Sequence, residues 1–462
     1  MNLKGRSNSL DAFRGFAIVM MVLASAMLTW ALPAWMSHAQ TPPPEHAFNP
    51  EIVGITWVDL VFPFFLFALG VAIPFSVGSK IDRDVKKLRL LSLNLLRFFR
   101  LAFFAIFLQH IYPPTGASAD HMEGVLCPVF AFISLAALFT RFPYNLSCRT
   151  RYFVESLGWL LSILMLWVCC RCYNRPFSLD RSNIIILVLA NMAFFGTAIY
   201  IFTYKRHEWF RMALLPFVLA IILSESDGWQ QWIANYTPAS WLYKFMFLKY
   251  LCIVLPGTIV GDVFRQSLAS DWRQRIGTSH LLCILLMVIA LLVVNLWGLY
   301  TRHLVENVVA TTAIVALVLW LTRSRDYKFW HRVVVLGTWL LMFGIFVEPF
   351  QGGIKKDPST VSYYLVTTGL ACFSLVGFDV MCEVLKLDLL IKPLVMAGRN
   401  PMIAYVSAAL IVNPILHITG LYEIMNQMAA HPILAFLRGV IVTSIVVVIT
   451  MFFTRIKWFW RT

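Results

Sequence analysis

Apolar runs of about twenty residues, separated by short basic or Pro/Gly-rich stretches, repeat along the whole chain. A bilayer hydrocarbon core about 30 Å thick takes about 20 helical residues. By that rule the pattern predicts about fourteen membrane-spanning helices. They lie over residues 12–35, 55–78, 92–111, 123–140, 152–170, 183–203, 210–224, 241–263, 279–299, 306–322, 332–348, 360–382, 395–418 and 432–453. The seventh is the weakest run. The expected fold is therefore an all-α polytopic membrane protein, residues 1–462 forming one integral membrane domain.

Composition agrees with the pattern. Of 462 residues, 60% are hydrophobic and 13% charged, a balance that leaves too little polar surface for a water-soluble domain of this length. The formal charge of +15 raises the question of nucleic acid, but the basic residues sit in short loops between apolar runs, not along one face. Read as topology determinants, most of the 38 Lys and Arg fall on one side. They lie in the N-terminal segment, "SKIDRDVKKLR", "RFPYNLSCRTR", "YKRHEWFR", "RQSLASDWRQR", "RSRDYKFWHR", "KLDLLIKP" and the tail "RIKWFWRT". The positive-inside bias then makes both termini cytoplasmic.

The other side receives residues 36–54, with His38 and His46, and "PPTGASADHME", "SESDGWQQWIANYTPAS" and "EPFQGGIKKDPST". These loops are too short to hold a folded domain, so any chemistry belongs in or at the membrane. The first 39 residues imitate a cleavable signal peptide, but the apolar run there is long enough to span, and it is read as a retained helix. Nine cysteines show no metal-ligand spacing, and no metal is expected. There is no internal repeat of the kind that marks many secondary transporters.

A few polar residues stand out against this background. Asp59 lies one turn inside the second span, with Thr56 on the turn before it; facing hydrocarbon at mid-membrane, such a group costs about 2.5–3.5 kcal/mol. It is either a helix N-terminal carboxylate or a functional one. His46 is tethered close to that span, and an imidazole titrates near neutrality, which suits a general base. Arg97 and Arg100, spaced i, i+3, point to one helix face, where they either snorkel to lipid phosphates or meet a polyphosphate from the cytoplasm. Arg14, one turn after Asp11, admits the same two readings, with an Asp11–Arg14 pair as the structural one. Arg399 and Asn400 open a late span as a cap or as ligand contacts.

Four stretches together, "SLDAFRGFAIVMMVL", "VGITWVDLVFPFFLFALGVAIPFS", "VSYYLVTTGLACF" and "AGRNPMIAYV", resemble in sequence and order the transmembrane heparan-alpha-glucosaminide N-acetyltransferase family and its bacterial relatives, some described as N-acetylglucosamine-related transporters. The resemblance covers 9–140 and 330–460 as core helices and leaves 180–225 and 279–325 as extra helix pairs. It implies a CoA-dependent N-acetyltransferase. Acetyl-CoA would enter from the cytoplasm, and its acetyl group would pass to the amine of a glucosamine-type sugar on the periplasmic side. It also implies pairing as a homodimer in the lipid bilayer. The placement of the basic residues in loops leaves no nucleic-acid partner, and with no targeting sequence or luminal domain to argue for an organelle the expected location is a bacterial cytoplasmic membrane.

By the same resemblance His46 is the catalytic histidine. From the residues themselves, Asp59 would orient its imidazole or hold the sugar. Arg14, Arg97, Arg100 and Asn400 would hold the CoA, and Ser25 and Trp57 the sugar. Two positions depart from the family pattern. Ser25 stands where the family has an asparagine, and the family's "GVLQR" reads "GVLCP", with Cys127 and Pro128. The rival expectations are an amino-sugar or N-acetylglucosamine transporter without acyl chemistry, and a non-catalytic membrane partner.

Overall fold

The computed structural model describes residues 7–27, 29–112, 122–141, 147–204, 209–223, 228–267, 278–324, 327–384, 388–428 and 431–462. Helices start where a short polar side chain can satisfy their first N–H groups. Ser7 accepts from Leu10 N ahead of α1 (Asn8–Ala26), and Asn183 accepts from Ile186 N ahead of α6 (Ile184–Thr203). Between them lie α2 (Trp57–Ile73, continued by a π turn to Ile81), α3 (Lys87–Ile111), α4 (Met122–Phe139) and α5 (Cys148–Cys172). The chain continues through α7 (Leu215–Ile222), α8 (Leu251–Ser267), α9 (Thr278–Thr301) and α10 (Leu304–Thr322). It closes with α11 (Lys328–Val347), α12 (Val361–Asp379), α13 (Asp388–Arg399), α14 (Pro401–Ile418) and α15 (Pro432–Arg455).

Twelve of these helices are long and apolar enough to cross a membrane, among the described residues; two further apolar helices, Gly124–Phe139 and Phe210–Ile222, are shorter. Those two match the fourth and seventh expected spans, so the count of fourteen is not reached by length. At 1.5 Å per residue a helix of their size falls short of a 30 Å core. The seventh run is also interrupted by Arg211, whose guanidinium is buried on Thr203, Thr258 and Asp262 (3.2, 3.0 and 2.6 Å) and lies over the Tyr200 ring.

α8 and α12 are the most enclosed helices, packed on α2 and α11, while α5, α9 and α10 turn most of their apolar surface outward, as lipid-facing helices do. Helix-end contacts sort the loops into two faces. On one face Ser9 donates to Asp379, Arg399 meets Asn8 and Asp11, Arg265 pairs with Asp82, and Thr140–Arg141 forms a short antiparallel ladder with Phe459–Trp460. On the other, His38 meets Asp59, Gly54 N donates to Ile354 O, and Arg302 pairs with Glu348. Asn8 and Trp458 are on the same face, meeting the adjacent Arg399 and Asn400. The stretches 113–121, 142–146, 205–208 and 268–277, which carry several of the loop assignments, lie outside the described residues.

Candidate functional site

Asp59 occupies the third position of α2, where its Oδ2 accepts the Thr56 backbone N–H (3.0 Å), the reach-back half of a capping box, and also Ala39 N (3.3 Å). Thr56 Oγ1 donates to Ser37 O (2.7 Å), tying the 34–39 turn against the helix start. The other oxygen is spent differently. Asp59 Oδ1 lies 2.7 Å from His38 Nδ1 and 3.4 Å from Lys356 Nζ. Tyr363 on α12 donates its hydroxyl to the Asp59 backbone carbonyl (2.8 Å) and fixes the depth of the turn.

The carboxylate is 1% exposed and His38 is 42% exposed, so the carboxylate is buried while the imidazole edge reaches solvent. An ionised carboxylate only accepts, so the Nδ1–H donates to Asp59 Oδ1 and leaves Nε2 directed away from the carboxylate. That is the arrangement of a general base held in one tautomer by a buried orienting group.

Lys356 comes from the 351–360 loop, 318 residues away in sequence from His38. The loop is pinned to the 38–50 segment by Gln40. Its Nε2 donates to Asp357 O (2.6 Å), and its Oε1 accepts Asp357 N (2.9 Å). Buried Glu348 accepts Ile354 N (3.0 Å) and pairs with Arg302 (2.5 Å), linking the α9–α10 turn to the same loop.

The expected site residues are distributed as follows. His46 does not join Asp59; its Nδ1–H donates to Thr41 O (3.1 Å), and its backbone takes a positive φ of 50° inside the 38–54 loop. The histidine that meets Asp59 is His38, not the anticipated His46. Trp57 packs among Met27, Leu32 and Ala435. Ser25 donates back to Val22 O within its own helix (2.9 Å). Asn400 is fully buried and committed at both ends of its amide, to Trp458 O (2.8 Å) and Trp460 N (3.2 Å), so it clamps the C-terminal strand.

On the basic face Arg100 is taken up by Glu155 of α5. Arg14 lies 3.8 Å from Asp11 and donates to Gly398 O (3.5 Å). Half-buried Arg97, on α3, has no hydrogen-bond or ion-pair partner among the described residues, and an unpaired guanidinium suits an anion such as a phosphate. Among the described residues no group of three or more His, Cys, Asp or Glu is placed for a metal ion.

His38 and Lys356 were not singled out in the sequence as Asp59's partners. The "SHAQ" around His38 reads as part of a signal-like start, and nothing local marks Lys356. The signal that pointed there was the Thr56–Asp59 spacing itself, an acidic cap that needed company.

Fold and site together define a polytopic helical membrane protein with a carboxylate–imidazole–ammonium cluster at one face and Arg14, Arg97 and Arg100 towards the other. The chain belongs to the family described as "Domain of unknown function (DUF5009)", whose match spans residues 6–264, more than half of the chain. A comparison with curated proteins finds no match.

Proposed function

We propose that this protein is a transmembrane acyltransferase. It passes an acetyl group from acetyl-CoA on the basic face to the amine of a glucosamine-type sugar on the face that carries His38. The observation that carries this reading is the His38–Asp59 pair, a solvent-reaching base whose Nδ1–H is locked by a carboxylate with 1% exposure. An amine attacking a thioester must lose a proton, and His38 Nε2 takes it. Asp59 orients the ring and balances the imidazolium that forms. The protein is placed in a bacterial cytoplasmic membrane with the basic loops inward, as the loop charges favour.

Acetyl-CoA brings an activated thioester and three phosphate groups' worth of negative charge. Arg97, which no carboxylate pairs among the described residues, fits such a ligand; Arg100 is discounted because Glu155 already neutralises it. Replacing Arg97 with Gln should weaken CoA binding about tenfold, the worth of one charge-assisted contact. Arg100→Gln should leave it unchanged. Isothermal titration of the purified protein with CoA checks both, and equal affinity in wild type and Arg97→Gln would remove Arg97 from the site.

The deciding experiment places the protein in liposomes with labelled acetyl-CoA on one side and glucosamine on the other. N-acetylated sugar on the acceptor side is the expected result. Sugar that crosses chemically unchanged and without need of acetyl-CoA would replace this reading by transport.

A further inference from the structure

We propose that Lys356 is a second catalytic group, an ammonium that stabilises the oxyanion formed as the acceptor amine adds to the acyl carbonyl. The proposal rests on the acyl-transfer reading above and names a residue that neither the sequence pattern nor the family resemblance picks out.

Lys356 Nζ is 2.9 Å from His38 Nδ1 and 3.4 Å from His38 Nε2. The two nitrogens flank one ring carbon and their in-plane axes diverge, so a group lying in the ring plane along the Nδ1 axis would be far from Nε2. Near-equal distances put Nζ over the ring face. Two consequences follow. The in-plane Nδ1–H stays with Asp59, because Lys356 does not compete for that position. And Nζ stands 3.4 Å from Nε2, the nitrogen that takes the amine proton.

The ammonium is also under-used. It has three hydrogens to donate, yet among the described residues its oxygen partner is Asp59 Oδ1 at 3.4 Å, longer than a good N–H···O bond. At 31% exposure it reaches solvent from a partly covered position. Its backbone, by contrast, is held on both sides. Lys355 N donates to Thr360 Oγ1 (3.1 Å), Asp357 N to Gln40 Oε1 (2.9 Å), and Gly54 N to Ile354 O (2.8 Å). A cation fixed by its main chain, within 2.9 and 3.4 Å of the ring nitrogens of a general base and with one long contact to oxygen, is suited to stabilise charge that develops during reaction.

In the reaction the amine nitrogen forms a bond to the carbonyl carbon while the carbonyl π pair moves onto oxygen. That oxygen accepts from Lys356 Nζ, and the amine proton goes to His38 Nε2. When the carbonyl re-forms, the carbon–sulfur bond breaks and the departing CoA thiolate takes the proton from His38. Lys356 ends as it began, an ammonium.

The test compares Lys356→Met, Lys356→Gln and Lys356→Arg with wild type in the proteoliposome acetyl-transfer assay, with a thermal midpoint measured for each. The expected result for Met and Gln is a kcat lower by about 10²–10³-fold, the cost of losing one oxyanion donor, with the acceptor KM unchanged and part of the rate restored by Arg. If Met does not fold, Gln, which keeps length and polarity but not charge, decides. Wild-type kcat in either neutral variant overturns the proposal. So does a loss confined to KM or to the folded fraction, which would make Lys356 a mere counter-ion of Asp59. If wild type itself transfers no acetyl group, the acyl-transfer reading falls and this proposal with it.

Discussion

Asp59 takes part in two systems at once, and the cost of changing it should show in both. Its Oδ2 caps α2, and its Oδ1 holds His38. Asp59→Asn keeps the shape but lets the amide face Nδ1 with either end, so the tautomer is no longer imposed. Acetyl transfer should fall by about 10²–10⁴-fold, the usual worth of positioned acid–base help. The weakened cap should remove about 0.5–2 kcal/mol of stability, read from the thermal midpoint in detergent. Unchanged turnover with a lowered midpoint would make Asp59 a helix cap alone. The two histidines part in the same assay. His38→Ala should abolish transfer, while His46→Ala, whose Nδ1–H serves Thr41 O, should retain it. The opposite outcome would return the catalytic role to His46.

At the scale of elements, the contact between α1 and α13 has the least slack. A Cβ on Gly15 would lie 1.8 Å from Leu394 O, and one on Gly398 would lie 1.8 Å from Asp11 O, so each glycine lets the other helix's backbone approach where no side chain fits. Gly15→Ala should destabilise the protein by about 1–3 kcal/mol or more, as overpacking does, with a lower thermal midpoint and more aggregate on size exclusion. A midpoint equal to wild type would show that α13 can shift away from α1 at little cost. The same crossing carries the link between Asp11 and Arg399 and so sets the local geometry around Arg14. Helix α15 shows the complementary device. Arg438 donates to Ala26 O (2.7 Å), satisfying a carbonyl at the end of α1 that would otherwise face a dry interior.

For the whole molecule the two-face arrangement makes a topological prediction. Cys148 is exposed at the start of α5, on the face where α4 ends and where Asn8 and Trp458 also lie. A membrane-impermeant maleimide applied to intact cells should leave Cys148 unlabelled, and permeabilisation should expose it. Labelling from outside would invert the orientation and put the basic loops on the wrong side of the positive-inside bias. The same arrangement sets Asp59–His38 and Arg14–Arg97 on different faces, joined by α1, α2 and the enclosed helices α8 and α12. A protein of this build is suited to substrates that approach from opposite sides.

Much of the architecture was legible along the chain because membranes impose it locally. Backbone groups without water must bond within their own segment, so each apolar run of sufficient length declares a helix, and loop charge declares its side. Asp59 was legible for a similar reason, since a carboxylate one turn inside an apolar run needs a partner wherever it sits. The partner's identity was not. His38 and His46 lie in one loop with similar local surroundings, and only the folded path of residues 34–54 brings the first to Asp59 and turns the second toward Thr41. Lys356 arrives from the far end of the sequence on a loop fixed by Gln40 and Glu348, and Arg100 and Asn400 were already engaged by Glu155 and by the C-terminal strand. Hydrophobicity is a property of segments and can be read from them. Pairing of polar groups is a property of distances, which the assembled helices alone decide.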